Sequence, residues 1–415
     1  MKKLFLFAQS FPYGKAEAYL ETEIQYYDKF DEAHVFSLSV KKNDKRRNVL
    51  AGKDVYFHTI YFDKMNSYLL RGVLLLFNTL FYKELANLMK SGKFSFKTLY
   101  ELAIFIVRAK KEKNEVEKII EKENIVNPDD EIVLYTYRFN YSSLLVGELN
   151  LNCKKVKRVA RAHGIDLYEY RNKYDWLPLR EYILDKLDRL ILISKEGQDY
   201  ISNRYTKYKN KYVLSYLGTK TLPYREIYKG EPLRVVSVSH VVHVKRVSLI
   251  FKGLNKASKT HKIEWTHYGS GEKFDEIRKL AKFSNNNLKV SLRGHVENTI
   301  VLREFAEREY DVFINLSTTE GLPVSIMEAM SVGIPVIATD VGGTSEIVIN
   351  KYNGILLDKE IDEDDVAQAV NEMFNLTPLE YKKYRYNART IWKNNFSSES
   401  NYQKLTDNLL NFLKD

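Results

Sequence analysis

The sequence predicts an α/β protein of two domains, each built on a doubly wound, Rossmann-like parallel sheet. In both halves, short apolar runs typical of buried strands alternate with segments of helical periodicity. Between the halves lies a stretch with two glycines, two prolines and little periodicity, residues 218–232. A chain of 415 residues is long enough to give each domain its own core. We therefore predict domains at 1–225, joined by a C-terminal helix at about 393–415, and at 226–392.

The first half opens on an apolar run that predicts a strand, and further strands follow at intervals. The predicted strands are Leu4–Ala8, Ala33–Ser39, Glu131–Thr136, Lys157–Arg161, Asp188–Ser194 and Tyr212–Leu217. Helices are predicted at Glu17–Tyr27 and over most of residues 68–123, which are rich in Lys, Glu and Leu.

The second half repeats this alternation. Its predicted strands are Leu233–Ser239, Ile263–Tyr268, Leu288–Leu292, residues 311–316 and Pro335–Thr339. Its predicted helices are Ser248–Ser258, Phe274–Phe283, residues 299–308, a helix opened by Pro323, and the tail Ser397–Lys414.

Composition indicates a globular protein of the cytoplasm. The hydrophobic fraction is 44% and the mean hydropathy −0.39. The longest apolar runs, such as Val73–Phe77, are too short to span a membrane. The opening residues lack a cleavage site and are interpreted as a strand rather than a signal peptide. Cys153 is the only cysteine, so an intrachain disulfide and a cysteine-based metal site are excluded.

The net charge of +11 suggests an anionic partner. Basic clusters lie in residues 41–47 and 154–161, on either side of the apolar segment Tyr68–Lys90. Such clusters could hold the first domain against an anionic membrane leaflet, or the segment could be core and the lysines a solvated surface. The tyrosines are scattered and no nucleic-acid motif is present, so no nucleic-acid partner is expected.

The stretch Asn315–Met330 carries the clearest chemical signal. A strand runs into a polar loop with Glu320, and Glu328 follows in the helix that Pro323 opens. A helix N-terminus favours anions, whereas carboxylates hold hydroxyl groups through charge-assisted hydrogen bonds. A diphosphate and sugar hydroxyls in one pocket describe a nucleotide sugar. The alternative is an ordinary βαβ unit with Glu320 solvated and Glu328 on a polar helix face.

The same stretch resembles a known family. The spacing of Glu320 and Glu328 within EGLPVSIMEAM, followed by SVGIPVIATDVGGTSEIV, is similar to the donor-site signature of retaining glycosyltransferases of family 4. The resemblance extends over roughly residues 233–358. It implies the GT-B fold, with two Rossmann-like domains facing across a cleft, the first binding the acceptor and the second the nucleotide sugar.

The resemblance also implies roles for residues of the second domain. Glu320 would lie by the transferred sugar, Glu328 would bind the ribose hydroxyls, and Lys245 would neutralise the diphosphate. His240 occupies a position where the family has an arginine, and Arg246 is the candidate for the missing charge. The remaining candidate donor contacts are the backbone of Gly321, Leu322, Pro323 and Val324 and, near the base, Arg293, His295 and Val296.

Fewer residues of the first domain match. His163, in a His-Gly-x-Asp segment after a predicted strand, is similar to the family histidine near the transferred sugar, with Asp166 and Arg138 as candidate acceptor contacts. Gly14 stands alone in the loop where the family has a glycine pair near the diphosphate.

The resemblance implies a hexosyltransferase that retains anomeric configuration, without a cofactor or metal. Asp362–Asp365 looks like an acidic metal cluster, but we expect it to start a surface helix. The expected donor is UDP- or GDP-linked and the acceptor a saccharide or lipid-linked saccharide, in cell-surface polysaccharide synthesis at the inner face of the plasma membrane. The alternatives are a nucleotide-sugar 2-epimerase and a non-catalytic GT-B subunit of a partner transferase.

Overall fold

The computed structural model describes residues 1–14, 16–62, 75, 78–227 and 229–414. They form two compact units: Met1–Ser215 together with Tyr402–Asp415, and Tyr216–Asn401. The sequence-based boundaries were 225 and 392. Of the apolar run Val73–Phe77, only Leu75 lies within the described residues. The apolar segment Tyr68–Lys90 is described only at Leu75 and from residue 78 onward.

The first unit is built on a seven-stranded parallel sheet of order β3-β2-β1-β4-β5-β6-β7. Its strands are β1 Lys2–Ala8, β2 Glu32–Val40, β3 Val55–Tyr61, β4 Glu131–Thr136, β5 Lys155–Ala162, β6 Arg189–Leu192 and β7 Tyr212–Leu214. Its helices are α1 Leu20–Glu23, α2 Thr79–Lys90, α3 Phe96–Glu123, α4 Tyr141–Glu148, α5 Gly164–Leu167, α6 Arg180–Lys186 and α7 Lys195–Arg204.

Both faces of the first sheet are buried, which is why its central strands are continuous apolar runs. Leu4 to Ala8 are buried without interruption. Phe5 and Phe7 of β1 belong to the core cluster that includes residues of α3 and α4. Leu4 and Leu6, on the other face, share a cluster with Leu405 and Leu409. β3 was not predicted from the sequence.

The predicted helix Glu17–Tyr27 is wrong at its start. Helix α1 begins only at Leu20, because Glu17 adopts a left-handed φ of 55°. The buried Glu17 carboxylate accepts hydrogen bonds from the backbone N–H groups of Gln9, Ser10 and Phe11 at 2.9–3.1 Å. This side chain therefore holds the loop after β1 instead of continuing a helix.

Two arginines of the basic cluster at 154–161 bind within the fold. Arg158 donates to the carbonyls of Val146 and Leu149. Arg161 is fully buried, where its guanidinium donates to the Glu23 carboxylate at 2.5 Å. These arginines therefore contact the first unit itself, whereas Lys154 of the same cluster is exposed and paired with Glu131.

The second unit is built on a six-stranded parallel sheet of order β10-β9-β8-β11-β12-β13. Its strands are β8 Leu233–Val238, β9 Ile263–Tyr268, β10 Leu288–Leu292, β11 Val312–Asn315, β12 Val336–Thr339 and β13 Gly354–Leu357. Its helices are α8 Val247–Ala257, α9 Phe274–Leu280, α10 Asn298–Glu307, α11 Val324–Met330, α12 Glu363–Asn375 and α13 Pro378–Asn395. The last helix, α14 Ser398–Phe412, begins in this unit and ends in the first.

Two parallel Rossmann-like sheets with helices confirm the predicted fold class. In a parallel sheet all strands end at the same edge, so the loops that follow them meet there. None of the helices in the described ranges is long and apolar enough to cross a lipid bilayer.

Candidate functional site of the second domain

Loops from four neighbouring strands meet at the carboxyl edge of the second sheet. The loop after β8 is joined to the loop after β9 by a hydrogen bond from Val241 N to Ser270 O at 3.0 Å. It is joined to the loop after β11 by one from Thr318 N to Val244 O at 2.8 Å. Gly269 N in turn donates to Gly294 O, beyond β10, at 2.8 Å. These bonds hold the candidate residues in one connected frame of backbone.

Lys245 and Glu320 are in direct contact in this frame. Lys245 Nζ lies 2.6 Å from Glu320 Oε1, which also accepts hydrogen bonds from Ser317 Oγ at 2.7 Å and from Asn315 Nδ2 at 3.2 Å. Both partners are partly buried, so solvent screens their attraction less than on an open surface. A fixed carboxylate beside a lysine can hold a hydroxyl and an anionic group side by side.

The loop that carries Glu320 is fixed from behind by Gly342. Gly343 N donates to Gly321 O at 2.9 Å, which draws the two segments together. Gly342 has a φ of +56°, and a Cβ atom built there would lie 1.9 Å from the carbonyl oxygen of Glu320. Only glycine fits this position without moving the loop.

We expect Gly342→Ala to displace Glu320 and to destabilise the second domain. The left-handed backbone alone costs a residue with a Cβ about 1–2 kcal/mol, and the collision adds to it. Urea unfolding compared with Ser345→Ala, an exposed position three residues on, measures the difference. Equal stability of the two variants would contradict this reading of the loop.

Glu328 lies within α11 and is buried. Burial raises the pKa of its carboxyl to about 7, and a hydrogen bond from Asn298 Nδ2 to Oε1, at 3.0 Å, acts in the opposite direction. Among the residues that the structure describes, none donates to Oε2 of Glu328. This oxygen can therefore accept hydrogen bonds from hydroxyl groups of a ligand.

The backbone between Glu320 and Glu328 supplies donors. Pro323 directly precedes α11 instead of being its first residue. The N–H groups of Gly321, Leu322 and Val324 donate to none of the described residues. Unpaired N–H groups of this kind suit oxygen atoms of a sugar or a phosphate.

Arg246 and His240 differ in their surroundings. The Arg246 guanidinium donates to the carbonyl oxygens of Leu316 at 2.5 Å and Lys359 at 2.8 Å. Burial lowers the pKa of Arg246, and its side chain fastens the loop after β11. His240 is exposed at the end of β8. A phosphate contact of either residue stays a prediction.

The residues predicted near the base follow β10. Arg293 and His295 are exposed and Val296 is half-buried, and Arg293 N donates to His267 O at 2.9 Å. The turn at Gly269–Gly271 requires a glycine at its first position, because a Cβ atom on Gly269 would lie 1.8 Å from the carbonyl oxygen of Ser239. Contact with a base is untested and stays a prediction.

In the first domain, His163 and Asp166 lie together after β5. The His163 side chain is 12% exposed, and neither ring nitrogen makes a hydrogen bond with the described part of the chain. Burial lowers the pKa of His163 against the opposing effect of Asp166. The Asp166 carboxylate accepts from the backbone N–H groups of His163 at 2.6 Å and Phe139 at 3.0 Å. Asp166 thus holds the loop, and its carboxylate lies 3.8 Å from His163 Nδ1. A contact of His163 with a transferred sugar and an acceptor contact of Asp166 stay predictions.

Arg138 and Gly14 complete the candidates of the first domain. The Arg138 guanidinium carbon lies 5.9 Å from the ring centre of Tyr137, whose ring is also 4.8 Å from that of His163. Gly14 has a φ of +64° and donates to Lys45 O at 3.1 Å. An acceptor contact of Arg138 and a diphosphate contact of Gly14 stay predictions.

The acidic cluster Asp362–Asp365 begins a helix, as predicted. Asp362 caps α12 by accepting hydrogen bonds from Asp364 N and Asp365 N, and the Asp365 side chain accepts from Asp362 N. Its carboxylates are used in the local geometry of a helix start.

Sequence reasoning missed three polar residues that hold the two glutamates. Asn315 and Ser317 bind Glu320, and Asn298 binds Glu328. Asn315 and Ser317 lie within or beside the signature, where their spacing to Glu320 could have indicated them. Asn298 is thirty residues from Glu328, and only the folded chain brings the first residue of α10 against α11.

Comparisons with known proteins identify the domain that carries this site. Residues 224–391 match the model of the family described as Glycosyl transferases group 1. An uncharacterized glycosyltransferase of Methanocaldococcus jannaschii is 26% identical over 312 residues, which make up 69% of this chain and 78% of that protein. The O-antigen biosynthesis glycosyltransferase WbnH of Escherichia coli is 30% identical over 155 residues, 37% of this chain and 40% of that protein.

The fold matches that of a solved structure over nearly the whole length of both chains. Anabaena HepE in complex with UDP has a TM-score of 0.64 and 15% identity, and the match covers 99% of this chain and 100% of that one. At this identity the likeness shows the fold, which is GT-B. Residues 224–391 thus carry the likeness to the glycosyl transferases group 1 family, and the fold of the whole chain is the one that glycosyltransferases of the GT-B type share.

Proposed function

We propose that the chain is a retaining glycosyltransferase of family 4, a hexosyltransferase that moves a sugar from a nucleotide diphosphate sugar to a saccharide or lipid-linked saccharide. The observation that carries the proposal is the contact of Lys245 with Glu320, which is followed in the chain by three backbone N–H groups that donate to no residue in the described part of the structure. Lysine and N–H groups suit the diphosphate, and the carboxylate suits the sugar hydroxyls.

The leaving group determines what the site must do. As the glycosidic bond breaks, the nucleoside diphosphate gains negative charge, which the Lys245 ammonium stabilises. Glu320 orients the sugar through its hydroxyls, and its three donors keep the carboxylate from turning away. In a front-face mechanism, which retains configuration, the leaving phosphate oxygen accepts the proton of the acceptor hydroxyl.

Glu328 completes the donor site in this proposal by binding the ribose. Two adjacent hydroxyls can both donate to one carboxylate, and its Oε2 takes no hydrogen bond from the described residues. The carboxylate form is the better acceptor, so binding of the ribose favours ionised Glu328.

Donor and acceptor classes follow from the relatives as further proposals. HepE was crystallised with UDP and WbnH acts in O-antigen biosynthesis. We infer a UDP- or GDP-linked donor, no metal or other cofactor, and cell-surface polysaccharide synthesis. The proposed location of the enzyme is the cytoplasm, at the inner face of the plasma membrane.

Incubation of the full chain with UDP- and GDP-linked hexoses tests the proposal. We expect one donor to give free nucleoside diphosphate, faster with an added saccharide, at a rate that EDTA leaves unchanged. Proton NMR of the product, with an anomeric configuration equal to that of the donor, would support retention. A new sugar nucleotide formed without acceptor would instead indicate a 2-epimerase, and inactivity with every donor a non-catalytic subunit.

Asn298→Ala is expected to change how nucleotide binding depends on pH. The hydrogen bond from Asn298 lowers the pKa of Glu328, so its loss raises that pKa above about 7. Nucleoside diphosphate affinity should fall severalfold at pH 7 and recover at pH 8.5, where Glu328 ionises in the variant too. Thr299→Ala, at an exposed neighbour on α10, is the control. A loss of affinity that is the same at both pH values would contradict this role of Asn298.

A further inference from the structure

Helices α2 and α3 of the first domain meet in a short corner. Gly92 N donates to Met89 O at 3.2 Å and Lys93 N to Leu88 O at 3.0 Å, which close α2. Ser95 then caps α3 by accepting from Thr98 N at 3.1 Å. Backbone bonds and this cap fix the corner, so the large side chains on it are not needed for its shape.

Large apolar side chains project from this corner into solvent. The exposed fraction is 64% for Met89, 46% for Phe94, 86% for Phe96 and 44% for Tyr100. Phe94 and Phe96 line one open hollow of about 640 Å³. Tyr100 follows Phe96 by one helical turn, so both lie on one face of α3. Neighbouring exposed apolar residues indicate an interaction surface, since phenylalanine is usually buried.

Exposed lysines lie on the two helices that form this corner. Lys83, Lys90 and Lys97 are exposed and form no ion pair with any residue in the described ranges. Lys93, by contrast, is tied to the carbonyl of Asp175 and lies 3.9 Å from Glu169. Lys83 and Lys90 are seven residues apart on α2 and therefore share a face. Aromatic and apolar groups among unpaired lysines match the layered chemistry of an anionic membrane surface.

We propose that the α2–α3 corner, formed by Met89, Phe94, Phe96 and Tyr100 with Lys83, Lys90 and Lys97, docks the first domain on an anionic lipid membrane. The apolar groups enter the boundary between headgroups and acyl chains, and the lysines contact lipid phosphates. This corner, and not the basic cluster at 154–161, is the proposed docking surface, because Arg158 and Arg161 of that cluster bind within the fold. The inference rests on the membrane location in the proposed function, but not on its chemistry.

Sedimentation of the full chain with lipid vesicles tests the docking surface. Vesicles of phosphatidylcholine with phosphatidylglycerol are compared with phosphatidylcholine alone, at low and high salt. The parent chain should bind the anionic vesicles and release from them at high salt. Phe94→Ser/Phe96→Ser should weaken binding by at least roughly tenfold. Lys83→Gln/Lys90→Gln/Lys97→Gln should weaken it by about fivefold per lysine and remove the preference for anionic lipid.

Phe283→Ser is the matched control, because Phe283 is 80% exposed on the second domain. It should bind like the parent, and all variants should keep the parent melting temperature and donor turnover in solution. Absence of vesicle binding by the parent would overturn the proposal. So would unchanged binding of the Phe94/Phe96 variant, or a self-association that this variant abolishes without any lipid binding. Donor turnover is read separately, so failure of docking and failure of the proposed chemistry are distinguishable.

Discussion

Lys245→Ala is expected to lower the rate of sugar transfer by about 10²–10³-fold, the usual effect of removing one group that stabilises a leaving anion. The structure gives the physical reason, since the ammonium lies 2.6 Å from the carboxylate that is proposed to hold the sugar. Glu320→Gln keeps the size and the hydrogen-bonding oxygen but removes the charge, and we expect a loss of similar size. Steady-state donor turnover at saturating acceptor measures both.

A double-mutant cycle tests whether the two residues act as a unit. Groups in contact are not additive, so the double variant should lose far less than the product of the two single losses. Lys252→Ala is the control, because this lysine is exposed on α8 of the same domain. Two results would contradict the proposal that Lys245 and Glu320 act together. One is a double variant whose loss of transfer rate equals the product of the two single losses, and the other is a Lys245→Ala rate within about twofold of the parent.

Glu328→Gln is expected to stabilise the second domain and weaken its ligand binding at the same time. The pKa of Glu328 is raised from 4.5 to about 7, so the folded chain binds more protons than the unfolded one between these values. The contribution of Glu328 to the free energy of unfolding is fully present below pH 4.5 and is lost as the pH rises through 7. A shift of this size corresponds to about 3 kcal/mol. Because glutamine carries no charge, the free energy of unfolding of the variant does not fall over this pH range.

Urea unfolding at pH 5 and pH 8 measures the effect. The variant should equal the parent near pH 5 and exceed it by a few kcal/mol at pH 8, while nucleoside diphosphate affinity at pH 8 falls at least tenfold if two ribose hydrogen bonds are lost. Glu307→Gln, at an exposed glutamate of α10, should change neither quantity. A stability difference independent of pH would contradict the role of burial at Glu328.

The strands of the fold were predictable because buried parallel strands are continuous apolar runs. Glu131–Thr136, Ile263–Tyr268 and Leu288–Leu292 have the bounds predicted from the sequence. β3 was not predicted, because the polar residues His58 and Thr59 interrupt its apolar run. The four-residue strand β13 was not predicted either. Glu17 was placed in a helix because local periodicity does not reveal a side chain that folds back on the preceding loop.

The candidate site was predictable where it is local in sequence. Glu320 and Glu328 share one loop and helix, and Lys245 follows the adjacent strand. Asn298 was not predicted because it lies thirty residues before Glu328 and contacts it only in the folded chain. The hydrogen bonds from Arg246 to carbonyl oxygens were also not predicted, since a sequence shows a charge but not the groups that surround it.

Calorimetric titration of three ligands into three chains tests whether one edge of the second sheet binds ribose through Glu328 and diphosphate through Lys245. The ligands are the nucleoside diphosphate with the higher affinity, its nucleoside, and the 2′,3′-dideoxy nucleoside; the chains are the parent, Glu328→Gln and Lys245→Ala. We predict that Glu328→Gln loses the preference for the nucleoside over its dideoxy form and keeps the gain from the diphosphate. Lys245→Ala should do the reverse, and parent-like preferences in both variants would contradict the account.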